Sequence, residues 1–287
     1  MSETSESAVP AWFTETLARP VATGKVDVRG TSIAYRAWGP ERAENGCLLL
    51  HGVAAHAHWW DHIGPYLVGA GSRRVVAIDL AGHGDSGRRL RYSIAGWAAD
   101  VVDLLGPLGL GPRPSVVGHS LGGMVTLAVA GLVGARIGRA VVVDGAVRER
   151  TDQQEALRRR RAQPSARVLP TRAEAVARVR KALRHQGLPY ILDHIAETSV
   201  RQVTSGWAWK VDPLVHDRPA MLPTDLAPMA CPVTIVRAEH GLFTDQIERT
   251  MVRLLGGDVR VRRVLRAGHQ VLLDEPRELT SALLAVL

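Results

Sequence analysis

The stretch Val116–Met124, "VVGHSLGGM", constrains the fold more than any other in this 287-residue chain. The apolar "PSVV" that leads into it has the pattern of a buried strand, and "MVTLAVAGLV" after it has that of a helix. The backbone must therefore reverse sharply at Ser120, between a glycine two positions before (Gly118) and one two positions after (Gly122). A G-x-S-x-G turn of this kind holds a serine in a strained, exposed pose over a helix N-terminus. Alone, a five-residue pattern can also be an ordinary glycine-rich connector, so its weight depends on the rest of the chain.

The rest repeats one rhythm. "VDVRGTSIAYRAWG" alternates and turns at Gly30, which predicts an antiparallel hairpin near the start. From Cys47 onward, short β-branched runs ("CLLLHG", "VVAIDL", "PSVVGHS", "AVVVDG", "VTIVRAE", "VRRVLRAGH") are mostly separated by helix-compatible stretches. That alternation predicts a mostly parallel sheet with helices on both faces. In such sheets ligands sit beyond the carboxyl ends of the strands. His51, Asp79, Ser120, Asp144 and His269 each close or follow an apolar run. One segment breaks the rhythm: residues 147–222 carry an Arg/Ala/Leu-rich helical pattern plus "SGWAWKVDP". The expected organisation is an N-terminal extension (1–23), a core built from 24–146 and 223–287, and an inserted helical cap (147–222).

Composition narrows the function. With 46% hydrophobic and 22% charged residues, the chain can bury a sizeable core. Its start, "MSETSESAVPAW", has neither the basic nor the apolar region of a signal peptide, and no window predicts a membrane span. Cys47 and Cys231 lie far apart without a CxxC partner, so both are expected to be reduced, in keeping with a cytoplasmic protein. The net charge is +8, and the surplus is local. Arg148 to Leu222 holds 15 Lys and Arg against 8 Asp and Glu, of 36 and 28 in the whole chain. The segment, with "RRRR" at Arg158–Arg161, lacks interleaved aromatics and any nucleic-acid motif. A solvated helix face is the plainer reading; an anionic substrate arm drawn to a basic cap is the alternative.

A serine hydroxyl is a poor nucleophile until a base, oriented by a third group, takes its proton. His269 in "RAGHQVLLDEP" is the candidate base, because it follows the final strand through a glycine. Three carboxylates compete for the third place: Asp144, after the strand that follows the elbow helix, then Asp245 and Glu239, after the next strand. Two backbone N–H groups, of Leu121 at the helix start and of Val53 after Gly52, are the candidate donors to a developing oxyanion. The expected pocket lining is His51, Gly52, His119, Trp59 and, from the cap, Trp207. His56, His58 and His62 share the His-Gly loop, where loop polarity accounts for them. No metal or organic cofactor is required.

"HGVAAHAHWW", "DLAGHGDSG", "GHSLGG", "VVVDG" and "AGHQVLLDEP", in that order, resemble the successive landmarks of the α/β-hydrolase fold family. The resemblance covers roughly Val26 to the C-terminus. It implies a serine–acid–histidine triad, an oxyanion hole at the His-Gly loop and a cap after the sixth strand. It implies too that His83 in "GHGDS" is structural. "RAEHGLFTD" departs from the family's usual acid turn after the seventh strand, whereas Asp144 suits members with the acid after the sixth. A serine rather than an aspartate at the elbow argues against dehalogenase and epoxide hydrolase chemistry. The expected activity is hydrolysis of an ester, lactone, thioester or related small carbonyl compound through an acyl-enzyme on Ser120. C–C bond hydrolysis, a lyase or cofactor-free oxygenase, and a receptor with little turnover are the alternatives.

Overall fold

The computed structural model describes residues 9–69, 72–149, 151–162, 168–183 and 187–287. After helix α1 (Ala11–Leu17), strands β1 (Ala22–Val28) and β2 (Thr31–Trp38) form the expected hairpin. Arg29 and Gly30 turn it with left-handed φ of 50° and 74°. Then follow β3 (Cys47–Leu50), α2 (Gly64–Leu67), β4 (Val75–Ile78), α3 (Ile94–Leu104), β5 (Ser115–His119), α4 (Leu121–Val133) and β6 (Arg139–Val143). The chain next leaves the sheet for α5 (Asp152–Ala162), α6 (Arg172–Leu183), α7 (Pro189–Thr198), β7 (Val200–Val203) and β8 (Gly206–Trp209). It returns with β9 (Val233–His240), α8 (Asp245–Leu255), β10 (Val259–Gly268), α9 (Val271–Asp274) and α10 (Pro276–Leu284).

The main sheet has eight strands in the order β1-β2-β4-β3-β5-β6-β9-β10. β1–β2 and β2–β4 are antiparallel, and every other pair is parallel. This is the mostly parallel sheet expected from the rhythm of the chain. Strand side chains alternate, so each buried strand serves two cores. Leu48, Leu50, Val116, Val142 and Ile235 join α3, α4 and α8 on one face. Cys47, Leu49, Val117, Val141 and Val236 join Trp60, α6, α7 and α10 on the other. Both cysteines are free and buried. Among the described residues no helix is long and apolar enough to cross a membrane.

Two expectations change in detail. Residues 147–222 are not helical throughout: β7 and β8 pair antiparallel, with Val200 opposite Trp209 and Val203 opposite Gly206. Four-residue strands are too short to stand out against a helical background, and only Gly206, at φ 140°, marks the turn. The N-terminal extension (1–23) runs into the first strand, which begins at Ala22. Phe13 is buried and packs edge-on to Tyr190 of α7, Thr16 bonds the Tyr66 hydroxyl (2.9 Å), and Ala22 already pairs with Ala37. Residues 1–8 lie outside the described residues, as do Arg150, Arg167, Arg184 and the side chains of Arg158, Arg159 and Arg161 within the basic segment.

The segment between β6 and β9 is hydrogen-bonded to the chain that follows β4 and β10. Gly84 donates to Lys210 O (2.8 Å), Asp212 to Gly82 O (2.7 Å) and Leu188 to Leu273 O (2.9 Å). On the opposite flank, Arg89 clamps the hairpin to α3. Its Nη1 and Nη2 donate to both oxygens of the buried Asp100 (2.9 Å each), while Nε reaches Thr31 Oγ1 (2.8 Å). Removing one partner of such a pair strands the other charge. Asp100→Ala is therefore expected to cost about 3 kcal/mol, read as a lower urea midpoint at unchanged m-value.

Candidate active site

The serine turn is built by what the glycines lack. A Cβ on Gly118 would strike the carbonyl of Gly122, and one on Gly122 would strike those of Leu50 and His51. A Cβ on Gly123 or Gly145 would crowd Val142, and would also approach Gly118 O from Gly123 and Ser120 O from Gly145. Ser120 N–H donates to Val143 O (2.9 Å), which prolongs the sheet by one residue before the chain swings into α4. The serine backbone is held at φ 53°, ψ −111°. Strain of that kind costs about 1–3 kcal/mol and persists only where the surroundings impose it. Among the described non-glycine residues only Arg29, Ala54, Ser120, Asp144 and Arg266 have left-handed φ, and the middle three surround this site.

Asp144 extends β6 as Ser120 extends β5, its N–H donating to Val236 O (2.9 Å). Its fully buried carboxylate accepts three hydrogen bonds: from Ala238 N–H at Oδ1 (3.3 Å), and from Leu242 N–H (2.9 Å) and His269 Nδ1 (2.8 Å) at Oδ2. An ionised carboxylate only accepts, so the His269 proton sits on Nδ1. His269 Nε2 is then free to accept from the Ser120 hydroxyl, which lies 3.0 Å away. Gly241, in the "RAEHGLFTD" stretch that departs from the usual acid turn, makes room for an acid from another strand. A Cβ on Gly241 would overlap the Asp144 carboxylate, so the loop after β9 supplies space and the Leu242 amide, and the end of β9 the Ala238 amide. The other two carboxylates are elsewhere: Asp245 pairs with Arg237 (2.7 Å) at the start of α8, and Glu239 accepts from Arg266 N–H (2.6 Å).

The His-Gly loop closes over the serine. Gly122 N–H donates to His51 O (3.1 Å), and the Cβ position of Gly52 lies 3.4 Å from Ser120 Cβ. Asp79 props the loop from behind, accepting from Ala57 N–H (2.6 Å) and Asp85 N–H (2.7 Å). Among the described residues, the N–H groups of Val53 and Leu121 donate to no acceptor. Two free amides beside a hydrogen-bonded Ser–His–Asp series can bind negative charge on an oxygen attached to the carbon that the serine attacks.

Residues 47–282 match the model of the alpha/beta hydrolase family. The chain belongs to that family. It is 27% identical over 268 residues to the esterase Rv0045c of Mycobacterium tuberculosis, covering 91% of this chain and 88% of the relative. It is 23% identical to the mouse sn-1-specific diacylglycerol lipase ABHD11, over 98% of this chain and 92% of that one. The crystal structure of Rv0045c superposes with a TM-score of 0.75 at 26% identity, covering 96% of each chain.

Several residues expected to line the pocket of this alpha/beta hydrolase are instead withdrawn into its framework. His51 is fully buried: Leu80 N–H donates to its Nε2 (3.0 Å), so its proton is on Nδ1 and bonds Gly52 O (2.7 Å). His119 donates from Nε2 to His269 O (2.8 Å) and so backs the histidine. Trp59 is buried in the core, and Trp207 lies 6.0 Å beneath the Arg172 guanidinium. Gly52 lies against the Ser120 side chain, whereas His51 and His119 meet the serine turn only as framework, through the His51 carbonyl and the chain itself. His83 is buried against His51 and Trp97, a structural place.

Burial lowers the pKa of His51 to about 4 and that of His119 to about 3. An unfolded chain takes up these protons near pH 6.5, which the folded protein refuses until far lower pH. Stability is thus retained above about pH 6.5 and lost as pH falls toward about 4, by roughly 3 kcal/mol for His51 alone. Urea midpoints are expected to drop between about pH 7 and about pH 4.5, and His51→Gln to flatten that slope. A midpoint unchanged over the range would contradict the assignment of neutral buried imidazoles.

Proposed function

We propose that this alpha/beta hydrolase cleaves carboxylic esters by acyl transfer to Ser120, with His269 as base and Asp144 as its orienting acid. The observation that carries the proposal is the continuous hydrogen-bonded series from Asp144 Oδ2 through His269 to Ser120 Oγ, at 2.8 and 3.0 Å. His269 Nε2 takes the hydroxyl proton as Oγ attacks the carbonyl carbon. The amides of Val53 and Leu121 receive the oxyanion, and Asp144 stabilises the imidazolium. On collapse, His269 returns the proton to the departing alkoxide. Water, deprotonated by the same nitrogen, then hydrolyses the acyl-enzyme. The relatives named as an esterase and a diacylglycerol lipase support an ester as substrate.

Residues 147–222 are assigned here as a cap over this site. Main-chain bonds join it to the loop after β4 (Gly84 N–H to Lys210 O, Asp212 N–H to Gly82 O), and His56 of the His-Gly loop meets Ser199 at 2.8 Å, a position from which it would exclude water and size the acyl group.

A p-nitrophenyl ester series, from acetate to long acyl chains, tests the proposal. Wild type is expected to turn over with an optimum at one chain length. Ser120→Ala should fall to the buffer rate, and Asp144→Asn should lose about 10⁴ in kcat by fixing the wrong tautomer. A fluorophosphonate should label wild type and not Ser120→Ala. A wild type with neither turnover nor label would refute acyl transfer at this serine.

A further inference from the structure

Away from the serine, His58, Asp61 and His194 converge on one point, and their ligand-type atoms all lie within 4.8 Å of one another. His58 belongs to the 3₁₀ turn Ala57–Trp60, and Asp61 ends that turn. In a 3₁₀ turn side chains three apart eclipse, so the sequence H-x-x-D puts both on one face. His194 comes from α7, on the far side of the seam between the His-Gly loop and the inserted segment. His58 Nδ1 lies 2.8 Å and His194 Nε2 3.0 Å from the same oxygen, Asp61 Oδ2. Arg36 Nε holds the other oxygen at 2.6 Å. Burial opposes ionisation of Asp61, yet the hydrogen bonds from His194 and His58 outweigh it and keep the carboxyl well below its usual range.

We propose that these three residues form a binding site for a divalent transition metal, zinc or its neighbours, that bridges the His-Gly loop and α7. The donors, two imidazole nitrogens and one carboxylate oxygen, are a set that zinc binds tetrahedrally with one further position. Ligand bonds of about 2.0–2.1 Å separate donors by about 3.3 Å, so the two nitrogen–oxygen separations need widen by only a few tenths of an ångström. Arg36 fixes Asp61 so that Oδ2 alone faces the two rings, the kind of support that orients a ligating carboxylate. Entry is open: a cavity of about 130 Å³ is lined by His58, Asp61, His194, Trp38, Thr16 and Thr198, with room for a water as fourth ligand. The rings are 22% and 18% exposed, so each can shift its N–H to the other nitrogen and turn a lone pair inward. Arg36 and Arg19 also border this cavity, and their charge opposes any cation. That disfavours weakly bound calcium or magnesium and leaves the nitrogen-seeking metals.

The test is titration of the purified wild-type chain with Zn²⁺ by calorimetry and with Co²⁺ by visible absorption, alongside His58→Gln and His194→Gln. Glutamine keeps a hydrogen bond to Asp61 and removes the imidazole. Wild type is expected to bind one equivalent, to show the intense absorption of tetrahedral Co²⁺, and to unfold at higher temperature when loaded. Each variant should lose at least about tenfold in affinity. In wild type, Zn²⁺ should also shield His58 and His194, and not the exposed His240, from diethyl pyrocarbonate; this readout needs no variant. Equal binding in all three proteins, no binding in wild type, or shielding of other histidines only would each overturn the site.

Discussion

The architecture depends on how closely one helix can approach the ends of three strands. α4 begins against the carbonyls of Leu50 and His51 from β3, the turn after β5 and Val142 of β6, and glycines at 118, 122, 123 and 145 make the contacts possible. With side chains there, α4 would be lifted off the sheet. Ser120 would then lose Val143 as its backbone acceptor, and Gly122 would no longer reach His51. The elbow strain, the free amide of Leu121 and the position of the His-Gly loop all follow from that approach.

The electrostatics around the serine are set mainly by the backbone. Asp144 draws two of its three hydrogen bonds from main-chain amides, and Asp79 holds the neighbouring loops through two more. His51 and His119 are spent on carbonyls and kept neutral by burial. The Asp144–His269 pair therefore sits among fixed backbone dipoles and neutral imidazoles. Such preorganised surroundings need little rearrangement when charge develops.

Much of this was legible in the sequence because strands and glycines leave local marks. Apolar runs predicted the sheet, and G-x-S-x-G predicted the turn at Ser120. The position of His269 after the last strand brought it within reach of the serine. The acid could be ranked but not decided from residue order, since Asp144 and Asp245 both follow sheet strands, and only three-dimensional register separates them. The pocket expectations for His51, His119 and Trp59 failed for a related reason: polarity at a strand end does not reveal whether a side chain turns outward or bonds the framework. The hairpin of β7 and β8 escaped notice because four residues are too few for a period to emerge. The convergence of His194 on His58 and Asp61 joins positions more than 130 residues apart, and no local pattern encodes it.

The end of β9 and the loop after it meet the carboxylate that faces His269 with an empty space at Gly241 and two N–H groups, of Ala238 and Leu242. Neither contribution depends on side-chain identity beyond that glycine. Ser120 and Asp144 instead each follow directly on one of two adjacent parallel strands, β5 and β6, so one βαβ unit carries both in a compact stretch of chain. Such a division leaves the β9 loop free to diverge in length and polarity around the glycine. A comparison seeking an acid in that loop would then overlook the chain, while one seeking the pair within a single crossover would find it.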